Sequence, residues 1–395
     1  MSIKGLMKKL ILSFLLVFLL TTSLKADIDL PKGLKGISIG ALWYLDFKAG
    51  EDKAGKDYSG WSITRGYINI KKKITPWFSA RVTPDVTRDI HGDVKVRLKY
   101  LYGRIYFKDF FIFTNNFIEF GQIHFPWLDF EEHVNPYRCQ GTMFQERNHM
   151  FNSADQGIAW FGYFGGEMNK KYKEQVNKYY AGRYGSFALG VYNGSGYHQG
   201  EKNTNKALEA RITVRPFPDV LPGLQFTYFG ILGKGNLSDE GENYKEKTVY
   251  FPGTDNPAKG NPPDWYVNTF FISYQSPAFT ITAEYARDKG SQNGFYKGDD
   301  GKLYRDERDK RGFSFWGMFR IPWYKKLRIW ARYDVWDPDL DMTDDIQRRL
   351  IGSISYDIYK GVWGCTFLIT GERLWHDNPN YHNEHFFQTV LQIKF

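Results

Sequence analysis

The chain has 395 residues, a formal net charge of +9, 39 Gly and an aromatic content of 18%. Its mean hydropathy is negative. No segment offers the 18 or more consecutive apolar residues of a membrane-spanning helix, which excludes a helical membrane protein. A basic balance is one mark of nucleic-acid binders. Here the charges are interleaved with aromatic residues along the whole chain, and no nucleic-acid partner is expected.

Lys4, Lys8 and Lys9 precede an apolar run from Leu10 to Leu20 and a small, polar stretch ending at Ala26. This order reads as a secretory signal over 1–26. Residues 27–395 are then one exported domain. The signal takes four Lys with it (4, 8, 9 and 25), so the mature charge is about +5. Export permits a disulfide, but Cys139 and Cys365 are expected as two free thiols.

Beyond the signal, one theme repeats: a segment of about ten residues alternates apolar and polar, then a turn or a polar loop follows. Ile37, Ile39, Ala41, Trp43, Leu45 and Phe47 alternate with Ser38, Gly40, Tyr44 and Asp46. Val94, Val96, Leu98 and Tyr100 alternate with Lys95, Arg97 and Lys99. Leu208 to Val214 and Leu327 to Val335 repeat the pattern, with Glu209, Arg211, Thr213 and Arg215, then Arg328, Trp330, Arg332 and Asp334, on the other face. Large aliphatics on one face and rows of Arg and Lys on the other fit a wall between lipid and water. Such segments start near residues 35, 61, 76, 93, 117, 155, 184, 205, 223, 265, 278, 311, 327, 347, 362 and 385. The expected fold is all-β: a transmembrane antiparallel β-barrel of about 16 strands in a bacterial outer membrane.

Connections alternate in length, as expected for short periplasmic turns and long external loops. The short ones include Lys71–Pro76, Gln275–Ala278 and Pro322–Lys326. The long ones include Ala49–Gly60, Phe125–Ala154 and Gly233–Asp264. Gly165–Lys178 breaks the rule, being long on the periplasmic side. The last strand sets Phe387, Thr389, Leu391, Ile393 and Phe395 on one face. That ending resembles the signal read by the outer-membrane assembly machinery, an expected partner beside outer-membrane lipid and lipopolysaccharide.

Gly121-Gln122-Ile123-His124-Phe125-Pro126-Trp127 and Phe130-Glu131-Glu132 are followed by Glu146-Arg147, Asp155-Gln156-Gly157-Ile158 and Tyr192-Asn193-Gly194-Ser195-Gly196. Arg332-Tyr333-Asp334 and Asp337-Pro338-Asp339 come later. In this order the motifs resemble the phosphate-selective porin O and P superfamily. The resemblance implies an inward-folded constriction loop at about 125–154 and a homotrimer. Phosphate-selective members carry lysines in that loop. Here no Lys lies between Asp109 and Asn169, and the loop holds Asp129, Glu131, Glu132 and Glu146 against Arg138 and Arg147. Phosphate specificity is therefore not expected.

Alternation assigns Arg65, Arg81, Lys95, Arg97, Lys99, Arg211, Arg215, Arg320, Arg328 and Arg332 to the lumen, with Glu209, Glu284, Asp334 and Glu372 as the acids. An excess of cations in a narrow low-dielectric tube concentrates anions. The expected function is passive diffusion of small hydrophilic solutes with mild anion preference. The alternatives are a channel selective for phosphate, another anion or an aromatic or oligomeric ligand, with Trp127, Trp330 and Trp336 as contacts, a barrel enzyme, or a barrel that does not conduct. No catalytic residue, cofactor or metal is assigned. Gly50 to Lys56 has phosphate-loop spacing but Asp57 where Ser or Thr is needed. His376, His382, Glu384 and His385 read as a solvated loop, and Asp337, Asp339, Asp341, Asp344 and Asp345 as an ordinary acidic one.

Overall fold

The computed structural model describes residues 35–88, 92–359 and 364–395. The expected signal, 1–26, lies outside them. All of the barrel but the first residue of its first strand lies in the unit Ser38–Phe395. Its strands are β1 (Ile37–Glu51), β2 (Asp57–Lys73), β3 (Phe78–Arg88), β4 (Val94–Tyr106), β5 (Phe113–His124), β6 (Ala154–Phe164), β7 (Gly185–Tyr192), β8 (Ala207–Val214), β9 (Leu224–Lys234), β10 (Asp264–Gln275) and β11 (Phe279–Lys289). A small hairpin, β12 (Phe295–Lys297) and β13 (Leu303–Arg305), sits in the next loop. β14 (Asp309–Arg320), β15 (Leu327–Asp337), β16 (Gln347–Tyr359), β17 (Cys365–His376) and β18 (Glu384–Lys394) complete the wall. Each of the sixteen wall strands begins within four residues of its expected start.

The strands pair with their sequence neighbours, and β1 pairs antiparallel with β18 from Leu42↔Lys394 to Glu51↔His385 to close the barrel. Closure leaves no unpaired sheet edge, the condition for crossing lipid with strands. The outward face is apolar: Val96 is 70% exposed, Phe270 55% and Phe315 54%. Burying such a belt in hydrocarbon is favourable, whereas in water it would be an aggregation hazard. Trp61, Trp77 and Trp323 are also exposed, and lie near strand ends. Membrane barrels place aromatic girdles at this level.

Two local expectations change. Ala49–Gly60 is not a long loop, because β1 runs to Glu51 and β2 starts at Asp57. The turn between them is tied by the Asp52 carboxylate, which accepts from the Ala54 and Lys56 amides at 2.9 and 3.0 Å. A polar stretch can prolong a hydrogen-bonded ladder into water, so polarity alone does not end a strand.

Tyr100 is the second change. It was expected outward with Val94 and Val96 but is buried, its ring centroid 4.3 Å from that of His124. Thr83 pairs with Tyr100 while the next residue, Pro84, pairs with Leu98. Lys99 is thus an extra residue, a β-bulge that shifts the alternation by one. Pro84 has no N–H to give the ladder, which suits it to a bulge. Lys99 and Tyr100 consequently both enter the interior, and Leu101 faces out at 54% exposure.

Candidate functional site

The segment 125–153 crosses the barrel interior. Helix α1 (Leu128–Val134) buries Leu128, Phe130 and Val134. Trp127, just before it, stacks on Phe229 at 5.6 Å and meets Phe271 edge-on at 5.3 Å. Phe125 and Phe151 stack at 4.9 Å where the segment enters and leaves. The inward side chains of β9 and β10 at this seat are Phe229, Ile231, Trp265, Val267 and Phe271, and they join one buried apolar cluster with the segment. That side of the interior is packed shut by the hydrophobic effect.

From this seat the segment reaches other parts of the wall. Tyr137 stacks on Trp330 of β15 at 5.0 Å. Gln140 donates to Glu372 of β17 at 2.6 Å. A short helix, α2 (Phe144–Arg147), places Gln145 to donate to Asp288 at 2.9 Å and accept from Thr269 at 2.7 Å. Gly121 of the sequence motif has a φ of +116°, and a Cβ there would lie 2.4 Å from the Leu101 carbonyl oxygen. Glycine is the residue that tolerates this bend just before the segment begins.

The acids of this segment are largely matched locally. Arg138 pairs with Glu132, and its Nε donates to Glu146 at 2.9 Å. Asp129 accepts from the Tyr180 hydroxyl and lies 3.7 and 3.8 Å from His133 and His124. Glu131 points elsewhere. Burial pushes its carboxyl well above the usual carboxylate range, Glu146 and Glu132 add to the rise, and Arg332 opposes it. Arg147 donates to the Thr142 carbonyl at 3.2 Å and approaches Glu372 at 3.5 Å.

Apart from Arg320 and Lys95, the wall cations fall into three groups. Arg97 pairs with Asp85 at 2.7 Å, Arg332 with Asp334 at 2.8 Å, and Arg328 with Asp357; Asp334 also accepts from Ser314 at 2.6 Å. Arg211 and Arg215 are sealed in: Arg211 donates to the Pro126 carbonyl at 3.1 Å, Arg215 to the Gly182 carbonyl at 3.3 Å. Arg320 caps a turn through the Ser276 and Pro277 carbonyls, and Lys95 is exposed near the start of β4. Arg65, Arg81 and Lys99 form the third group. Among the described residues no carboxylate lies within ion-pair distance of them. Aromatic rings and neutral groups hold them instead: Arg65 is 5.1 and 4.9 Å from the Tyr44 and Tyr67 rings, Arg81 is 4.4 Å from Tyr100, and Lys99 donates to Ser153.

These three face a cavity of about 570 Å³ between the segment and β1–β6, which also meets Lys71, Arg104, Lys178, Asp129 and Glu132. Arg104, absent from the expected set, pairs with Glu119 at 2.9 Å through Nε. The phenols Tyr44, Tyr67 and Tyr100 were also missed. Alternation set Tyr44 on the inward face, but the role of the three appears only when neighbouring strands bring cations over their rings.

The long connection 165–184 is drawn under the inner segment. It carries helix α3 (Lys170–Gln175), and Asn177 donates to the His133 carbonyl at 2.6 Å. Cys139 and Cys365 are free thiols. His376 lies 2.9 Å from Glu384, and among the described residues no His, Cys, Asp and Glu group has metal-site geometry.

No family model and no curated protein matches the sequence. Solved structures match the fold. The chain is that of an outer-membrane-type β-barrel. OmpF of Salmonella typhi, in complex with daunomycin, superposes with a TM-score of 0.59 at 10% identity, over 91% of this chain and 97% of that one. An anion-selective porin from Comamonas acidovorans gives 0.56 at 9% identity, over 91% and 100%. A loop-deletion form of OmpT, an outer membrane protein of Vibrio cholerae, gives 0.55 at 10%, over 91% and 100%.

Proposed function

We propose that the chain is a passive outer-membrane channel for small hydrophilic solutes that favours anions. The observation that carries this reading is the contrast inside the barrel. Glu132 and Glu146 share Arg138, whereas Arg65, Arg81 and Lys99 face the cavity without a carboxylate partner. In a low-dielectric tube such charges raise the local anion concentration. The Comamonas protein, described as anion-selective, has the same fold. Phosphate specificity is not proposed, since the inner segment has no lysine.

The same proposal includes a homotrimer, which would cover part of the apolar outer wall. Planar-bilayer recording of the refolded chain tests conduction. Ohmic steps in KCl are expected, and their absence contradicts the reading. Unheated electrophoresis tests assembly, with a slow band that collapses on boiling expected and a single monomer band contradicting the trimer.

A further inference from the structure

We propose that the cavity is a binding subsite for a small aromatic carboxylate, an inference that rests on the channel reading and names its preferred solute class. The cationic part is defined by Arg65, Arg81 and Lys99. Neighbours on the same strands show what ordinary neutralisation looks like here: Arg97 has Asp85, and Arg104 has Glu119. The three do not. Arg81 is held without a carboxylate partner, Nη2 donating to Asn69 at 2.6 Å, Nε to Thr83 at 3.0 Å and Nη1 lying 2.9 Å from His124 Nε2. Lys99 is 1% exposed and held by the Ser153 hydroxyl. Partners that are not carboxylates orient a guanidinium without neutralising it, so an anion entering the cavity meets preorganised donors on the half-buried Arg65 and Arg81, with Lys99 behind them. A guanidinium fork matches a carboxylate in two parallel hydrogen bonds.

The second half of the cavity supplies the aromatic requirement. Phe117 and Phe161 point inward from β5 and β6 and stack on each other at 5.1 Å, and both line the same cavity with Tyr163. Phe161 is buried with Tyr100 and Tyr102 in an apolar cluster against which Phe117 packs, so the two rings line the cavity as part of a packed aromatic wall. Phe161 does not belong to the apolar cluster that seats the inner segment. Ligand sites combine an apolar lining with a few convergent polar groups, typically in roughly 300–1,000 Å³. The cavity, at about 570 Å³, holds a single-ring acid with room for water. Charge therefore attracts anions, and the aromatic wall selects among them.

The test is current block in the full-length refolded channel. Benzoate, acetate and inorganic phosphate are titrated at equal concentration in a KCl background. Benzoate is expected to reduce the current saturably, with a half-blocking concentration at least tenfold below those of acetate and phosphate. Arg81→Gln and, separately, Phe161→Leu are each expected to raise the benzoate value severalfold. Leu101→Ala, on the outward face, is not. Equal block by benzoate and acetate overturns the subsite while leaving an anion-preferring pore intact. Phosphate as the strongest blocker overturns it in favour of an oxyanion site without aromatic selection. Absence of conductance, or cation preference in KCl alone, overturns the channel reading and this inference together.

Discussion

Trp330 of β15 stacks on Tyr137 of the inner segment with ring centroids 5.0 Å apart and planes 26° from parallel. The Tyr137 hydroxyl also meets Ser355 Oγ at 2.8 Å. This pair holds the segment to the wall far from its apolar seat. Truncating a buried aromatic to Ala costs about 3 kcal/mol. Tyr137→Ala should therefore release one side of the segment, raising single-channel conductance and current noise while the barrel still resists unfolding in cold detergent. Unchanged conductance and noise would mean that this contact does not restrain the segment.

The connection 165–184 is tied up by Asn177 on the His133 carbonyl and Tyr180 on Asp129. Each buried hydrogen bond removed costs about 1 kcal/mol or more. Asn177→Ala combined with Tyr180→Phe should make trypsin cleavage near Lys170 and Lys173 roughly thirtyfold faster, since two such bonds total about 2 kcal/mol and about 1.4 kcal/mol is a factor of ten. Equal cleavage rates would show that the connection is held by other contacts.

Asp306, in the loop before β14, gives a pH dependence of definite sign. Burial alone would raise its carboxyl. Lys310 at 2.7 Å and Arg308 at 2.9 Å overcome this and hold it at about 2 against an ordinary 3.8. The folded loop then binds fewer protons than the unfolded one between these values. Its stabilisation is complete above about pH 4 and is lost as pH falls toward 2. Limited proteolysis of loop 290–308 should stay slow from pH 7 to about 4. Asp306→Asn should lose about 2 kcal/mol and cleave faster at pH 7. If the variant matches the native protein at pH 7, the carboxylate does not hold the loop.

Ile212 is 49% exposed on the outer face of β8, while its neighbours Arg211 and Thr213 are fully buried. Ile212→Arg should cost about 2–4 kcal/mol in lipid vesicles if the site lies near mid-bilayer. Folding titrations in vesicles measure this directly. A neutral result would place Ile212 out of the hydrocarbon.

Most of the wall was legible because a strand between lipid and water must alternate with period two. Leu208 to Val214 shows this: Leu208, Ile212 and Val214 face out, and Glu209, Arg211 and Thr213 face in. The bulge at Lys99 was not legible, even though Pro84 hinted at a broken ladder. Which residue of the opposite strand is extra depends on register, and register is a tertiary property. The apolar inward faces of β9 and β10 were hidden for a related reason. Trp265 and Phe271 face a packed loop instead of water, and alternation cannot distinguish the two environments. Ion pairs such as Arg104–Glu119 likewise require knowing which residues stand opposite.

The sign of ion selectivity tests most directly whether Arg65, Arg81 and Lys99 govern the channel. The measurement is the reversal potential in a KCl gradient for the native protein and for Arg65→Glu combined with Lys99→Glu. The native potential should lie toward that of chloride, and the variant should move toward that of potassium. Potassium preference in the native protein, or no shift in the variant, would contradict a pore whose selectivity is set by these unpaired wall cations.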